Sequence, residues 1–330
     1  NSSDIAYTVY TIHIKPNVYY QQHPAFAKTA RGQWRYRQLT QAQIESKRSL
    51  DDFTYTSTRE LTADDYIYEI KRLADPRLNS PIYGLMSKYI QGLNDLASTL
   101  KKAELQASKD KQSFIDLRKY SLSGVKKVDR YTYQITLKGV YPQFTYWLAM
   151  PFFAPIPWEA DAFYSQAGMS ENNIGFDWYP IGTGPYTLVE NNPNKQMILK
   201  RNPEFRGEVF PSNGSEEDAA KGYMQDVGQQ IPFVDEIVFE LEREGIPRWN
   251  KFLQGYYDYS GITADSFDQA VKIDARGQPV LTDTLKHKGI RLQTTVNPSD
   301  FYMGFNMLDK VVGGYSAKAK DLRQAISIAL

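Results

Sequence analysis

With 330 residues the chain is long enough for two or three domains and a sizeable buried core. Its 39 basic and 38 acidic residues leave a net charge of +1, which gives no case for a nucleic-acid surface or a polybasic membrane patch. The lack of cysteine excludes a disulfide framework, a thiol nucleophile and a cysteine-type zinc site, and no run approaches the roughly 20 apolar residues of a membrane helix.

Aromatic content stands out, with 24 Tyr, 16 Phe and 5 Trp. Tyrosine joins a flat apolar face to a polar tip, which suits both strand surfaces and pockets that grip mixed ligands. The first element is a strand over residues 4–15, with Tyr10, Ile12 and Ile14 on one face. Residues 23–60 are polar and poorly periodic, with a short helix expected near residues 40–48. Arg31, Trp34, Arg35 and Arg37 fall here and read as a solvated surface in a charge-balanced chain.

Thr62 opens a well-marked helix. Asp65 stands three positions on, as in a capping box, and Ile67, Ile70, Leu73 and Ala74 follow helical spacing until Pro76. Two helical segments are expected over residues 85–121, separated by the polar stretch 101–112. The cleanest strand signal is residues 125–138, where Tyr131, Tyr133, Ile135 and Leu137 alternate with polar residues. A short helix is expected over 161–168. Pro180, Gly182, Gly184 and Pro185 then restrict or free the backbone at a tight loop that leads into a hairpin, 186–190 and 196–201, turned by Asn191-Asn192-Pro193-Asn194.

Further strands are expected over 234–244 and 289–295, and helices over 265–272 and 321–330. Residues 247–262 read as a helix followed by a tight strand. Glu240, Glu242 and Glu244 alternate on one strand face, so a solvated face outweighs a glycan-active carboxylate pair. The three histidines, His13, His23 and His287, sit in no metal-ligand spacing, and no nucleophile elbow, phosphate loop or dinucleotide fingerprint appears. No catalytic residue, metal site or cofactor is expected.

Several of these segments resemble one family. LTADDYIYEIKRLADP, the gapless run GVKKVDRYTYQITLKGVYPQFTYWLAMPFFAPIP, the turn-hairpin YPIGTGPY…KRNPEF and the closing FYMGFN…DLRQAISIAL are similar to the family 5 extracellular solute-binding proteins, the peptide-binding and related receptors of ABC importers. The resemblance covers residues from about 7 to 330. It implies an α/β fold of the periplasmic-binding-protein-like type II, with mixed-sheet lobes and an accessory α+β subdomain.

On that pattern residues 1–148 form the accessory subdomain of lobe I, 149–297 the lobe I core and 298–330 the start of lobe II, so that the chain begins inside the protein and stops before lobe II is complete. The resemblance implies ligand contacts from Tyr83, Gly261, Ile262, Phe301, Tyr302, Met303 and Gly304. It implies an exported, periplasmic receptor whose partners are a peptide or other small solute and the permease subunits of an inner-membrane ABC transporter, with no nucleic acid. Peptide is the first expectation for the ligand. Oligosaccharide or another solute is the alternative, and a glycan-active enzyme or a regulatory module that has lost its cleft are the other classes.

Overall fold

The computed structural model describes residues 5–109 and 114–329. They fall into two compact units, the first ending at Leu241 and the second beginning at Glu242. No helix among the described residues is long and apolar enough to cross a membrane.

The first unit opens with β1 (Tyr7–His13) and continues through α1 (Gln41–Glu45), α2 (Ala63–Arg72), α3 (Tyr83–Tyr89) and α4 (Leu93–Lys109). The strands β2 (Val125–Lys127) and β3 (Thr132–Lys138) follow, then α5 (Phe144–Leu148) and α6 (Trp158–Tyr164). β3 lies between β1 and β2 in an antiparallel sheet, with Tyr10 opposite Ile135 and Ile12 opposite Tyr133. Period-two alternation therefore puts Tyr133, Ile135 and Leu137 on the inner face, where all three are buried. They pack with Ile70 of α2, Met86 of α3, Leu93 and Leu100 of α4, and Phe144 of α5. Each such fully buried side chain is worth about 1.5–3 kcal/mol relative to exposure.

α2 starts as its sequence requires. The Asp65 carboxylate accepts the Thr62 backbone N–H at 2.9 Å, and Asp64 and Asp65 sit at the positive end of the helix dipole. α1 likewise carries a capping box between Thr40 and Gln43. α4 differs from the sequence expectation. The polar stretch from Lys101 does not interrupt the helix, because Leu93, Leu96, Leu100 and Ala107 keep a buried seam while Lys101, Lys102 and Gln106 turn outward. The rest of that stretch, 110–112, falls outside the described residues.

A second core in the same unit gathers the loop 18–61 around α6. Tyr20, Phe26, Ile44 and Phe53 pack on Phe163, Met169 and Ile174. The expected hairpin is present as β4 (Tyr186–Asn192) and β5 (Gln196–Arg201), followed by the short strand β6 (Glu208–Val209), α7 (Glu216–Ala220), β7 (Gln230–Ile231) and β8 (Glu236–Glu240). β5 is central in the antiparallel order β4-β5-β8, and β6 pairs with β7.

The second unit holds α8 (Gly245–Leu253), α9 (Ala264–Ala270), the antiparallel pair β9 (Val271–Ile273) and β10 (Pro279–Leu281), α10 (Asp283–His287) and α11 (Ala317–Ala329). Its small core is Trp249, Ala270, Val271, Leu281 and Leu285. The strands expected after α8 and over residues 289–295 do not form. Ile262, Ile290 and Leu292 instead pack as loop residues against that core, which satisfies their apolar side chains without a ladder.

Candidate ligand-binding site

The Gly-Thr-Gly loop is fixed by two amide side chains far from it in sequence. Gln21, only 7% exposed, donates its backbone N–H to the Gly182 carbonyl at 2.9 Å, and its side chain both donates to the Pro180 carbonyl and accepts from the Gly182 N–H. Asn202, 3% exposed, donates from Nδ2 to the Gly184 carbonyl at 2.9 Å and from its backbone to the Pro185 carbonyl at 2.8 Å. Prolines remove two donors here, so the remaining carbonyls are satisfied from outside the turn. The loop is a structural junction between the second core and the β4-β5 hairpin.

Next to it, buried charges are paired. Arg59 reaches the Asp65 carboxylate with both terminal nitrogens and holds Glu159 through Nε at 2.8 Å and Nη2 at 2.7 Å, joining the loop before α2 to α2 and α6. Arg72 donates to Asp161 Oδ1 at 2.7 Å, and Tyr68 donates to Asp161 Oδ2 at 2.6 Å. Glu69 faces the same guanidinium at 3.0 Å. Burial, with help from Asp161, pushes the Glu69 carboxyl up to about 8 against the pull of Arg72. Beside this cluster, a hollow of about 290 Å³ is lined by Arg72, Asp161, Tyr164, Phe176 and Trp178. The Arg72 guanidinium sits 5.1 Å from the Phe176 ring centre.

The seven residues expected at a ligand fall in both units. Tyr83 belongs to the first: it opens α3, half-buried against the main core, and its hydroxyl donates to Asn94 Oδ1 at 2.9 Å. Gly261 and Ile262 belong to the second, where Gly261 is exposed and Ile262 packs on the Trp249 core. Phe301, Tyr302, Met303 and Gly304 lie in an irregular segment, with Phe301 96% and Tyr302 91% exposed. That segment leads directly into Phe305, which lines an open hollow of about 540 Å³ with Lys320, Arg323, Gln324 and Ile328 of α11. Arg323 is held in place by the Val312 and Gly314 carbonyls at 2.5 and 3.0 Å.

Among the described residues no group of three or more His, Cys, Asp or Glu is placed to hold a metal ion. Glu240 is exposed at the end of β8, whereas Glu242 lies beyond the strand and pairs with Lys251, so the two carboxylates do not share a strand face. The arrangement offers aromatic faces and hydrogen bonds for binding.

Residues 50–330 match the bacterial extracellular solute-binding proteins, family 5, middle region. The chain belongs to this family. Membership carries the type II periplasmic-binding-protein-like α/β fold class expected from the sequence. The periplasmic oligopeptide-binding protein OppA of Salmonella typhimurium is 29% identical over 146 residues, which is 44% of this chain and 23% of that protein. The probable deoxycholate-binding periplasmic protein YgiS of Escherichia coli is 25% identical over 147 residues, 44% of this chain and 23% of that protein. The chain thus spans about a quarter of the length of the curated relatives it matches. Among solved structures, the periplasmic binding protein DppA from Helicobacter pylori, in complex with the peptide STSA, superposes with a TM-score of 0.46 at 17% identity, covering 79% of this chain and 36% of that one.

Sequence reasoning placed the capping box, the hairpin and the family signature. It missed Gln21, Asn202 and the Arg59-Asp65-Glu159 cluster. An isolated glutamine or asparagine carries no periodic signal, and the contacts these two make to the turn span 17 to 161 residues of chain.

Proposed function

We propose that the protein is the substrate-binding receptor of an ABC importer, capturing oligopeptides between the lobes of its fold and delivering them to membrane permease subunits. The observation that carries this reading is the family match over residues 50–330, joined to a curated relative named for oligopeptide binding. An extended peptide is held by main-chain hydrogen bonds, with side chains in roomy pockets, which gives broad sequence tolerance. The work done is capture and release, driven by the higher affinity of the closed state, and no bond is made or broken.

On this reading Phe301 and Tyr302 supply stacking faces, supported by their exposed rings, and Tyr83, Gly261, Ile262, Met303 and Gly304 complete the contacts. The finer division follows the family pattern, with an accessory subdomain over 1–148, a lobe I core over 149–297 and lobe II from 298. The location is the bacterial periplasm, as in the names of the relatives.

A thermal-shift screen of the full-length protein against pools of di- to penta-peptides, oligosaccharides, bile acids and metal chelates tests the reading. A ligand at 100 times its Kd stabilises by about 2.7 kcal/mol, a shift of several degrees. A shift with peptides is the expected result. A shift with another pool alone keeps the receptor role and overturns the ligand, and no shift with any pool overturns both.

A further inference from the structure

The net charge of +1 conceals a local imbalance: residues 5–44 contain Lys15, Lys28, Arg31, Arg35 and Arg37 and no Asp or Glu. Three of these cations are seated on aromatic rings. Lys28 Nζ lies 4.4 Å from the Trp34 ring centre, the Arg35 guanidinium 3.8 Å from Tyr55 and the Arg37 guanidinium 4.8 Å from Trp158. Trp34 meets Trp158 edge to face at 5.6 Å, and Arg118 covers Trp158 at 3.5 Å. Arg118 is neutralised by Asp116 at 2.8 Å, and the nearby Glu159 is committed to Arg59. Among the described residues no ion pair joins Lys28, Arg31, Arg35 or Arg37 to a carboxylate, and all but the half-buried Arg35 are exposed.

We propose that this cation-aromatic face, built from Lys28, Arg31, Trp34, Arg35, Arg37, Tyr55 and Trp158, docks the protein on the anionic phospholipid headgroups of a membrane surface. The shape favours a surface over a discrete ligand. The cavity between Trp34, Tyr36, Arg37 and Trp158 measures about 10 Å³, room for a single water and not for a sugar ring or a base. Unpaired guanidinium groups are weakly hydrated and match phosphate oxygens in a bidentate way, while Trp and Tyr favour the headgroup level. Seating on rings restricts the cations beforehand, so that less side-chain freedom remains to be lost on docking. For its setting the inference rests on the receptor reading, since a receptor that serves a membrane permease gains from being held near the bilayer.

The test is sedimentation of the full-length protein with phosphatidylcholine vesicles containing or lacking about a third phosphatidylglycerol. The expected result is binding that needs the anionic lipid, weakens in about 0.5 M salt, and falls by about tenfold or more in K28Q/R31Q/R35Q/R37Q, with R31K/R35K/R37K, which keeps the charges but not the bidentate fork, falling less. Equal binding to neutral vesicles, no binding to either, or unchanged binding by the glutamine variant overturns the proposal. The ligand-induced thermal shift of the glutamine variant is read alongside: it stays as in the parent protein if only the docking face is lost. Failure of the receptor reading shows there and not in the vesicle assay.

Discussion

The His23 imidazole and the Tyr164 hydroxyl lie 2.7 Å apart in a buried relay whose direction the backbone dictates. The Ala25 N–H can only donate, so it fixes His23 Nδ1 as an acceptor at 3.1 Å and leaves the proton on Nε2. Nε2 then donates to Tyr164, whose own proton goes to the Tyr179 carbonyl at 2.7 Å. The chain of bonds ties the loop before α1 to α6 and to the segment entering the Gly-Thr-Gly turn. His23 is fully buried, and burial lowers its pKa from 6.5 to about 3. The unfolded chain takes up this proton first. The resulting stability is complete above pH 6.5 and drains away as pH falls towards 3, by at most about 5 kcal/mol. Melting temperature against pH should show this acid limb in the parent protein, and His23→Leu should flatten it. An unchanged limb in the variant refutes the assignment.

Glu69 works in the opposite direction. Its carboxyl faces Arg72 on its own helix and Asp161 of α6, so one guanidinium serves two carboxylates. With the folded pKa raised from 4.5 to about 8, the contribution of the protonated form is fully present below pH 4.5 and is lost as pH rises through 8. Glu69→Gln keeps the shape and removes the titration. It should stabilise the protein near pH 8.5 by on the order of 2 kcal/mol relative to the parent and leave stability near pH 5 almost unaffected. Urea midpoints at the two pH values measure the difference, and equal differences at both would contradict it.

How much of this was readable from the chain depends on the range of the interaction. The Thr62–Asp65 cap and the β4-β5 hairpin are local, and their residue types announce them. The inner face of β3 is visible because alternation repeats along Tyr133, Ile135 and Leu137. The full length of α4 was not, since the sparse seam residues Leu100 and Ala107 are outnumbered by polar neighbours. The segments after α8 and over 289–295 failed for the converse reason: their apolar residues satisfy themselves on the Trp249 core without pairing. Among the proposed ligand contacts the exposed Phe301 and Tyr302 came from family pattern alone, because an irregular segment has no period to read.

Asn202 offers a sharper test of the turn. Its Nδ2 donates to the Gly184 carbonyl and its Oδ1 accepts the Glu204 N–H at 3.0 Å. Asn202→Ala removes both bonds at a 3% exposed position and should cost about 1–3 kcal/mol in urea unfolding. Asn202→Asp keeps the acceptor, loses the donor and sets a carboxylate against a carbonyl, so it should be at least as damaging as alanine. A harmless aspartate would mean that the Gly184 contact does not hold the turn.

The Arg59 cluster should show the largest single loss. Its guanidinium satisfies Asp65 and Glu159, which are 2% and 7% exposed. Arg59→Met leaves two carboxylates buried with no counter-charge and should destabilise by about 3–5 kcal/mol. Much of that figure is the cost of stranding the acids and not the worth of the pairs. Adding Asp65→Asn and Glu159→Gln removes the stranded charge, while the amide oxygen that replaces the Asp65 carboxylate can still accept the Thr62 N–H. The triple variant should therefore recover most of the loss. If it unfolds at the same urea concentration as Arg59→Met, the penalty lies in the lost seating of the Arg59 guanidinium on Tyr20 and Phe26, whose ring centres are 5.3 and 5.4 Å from its guanidinium carbon.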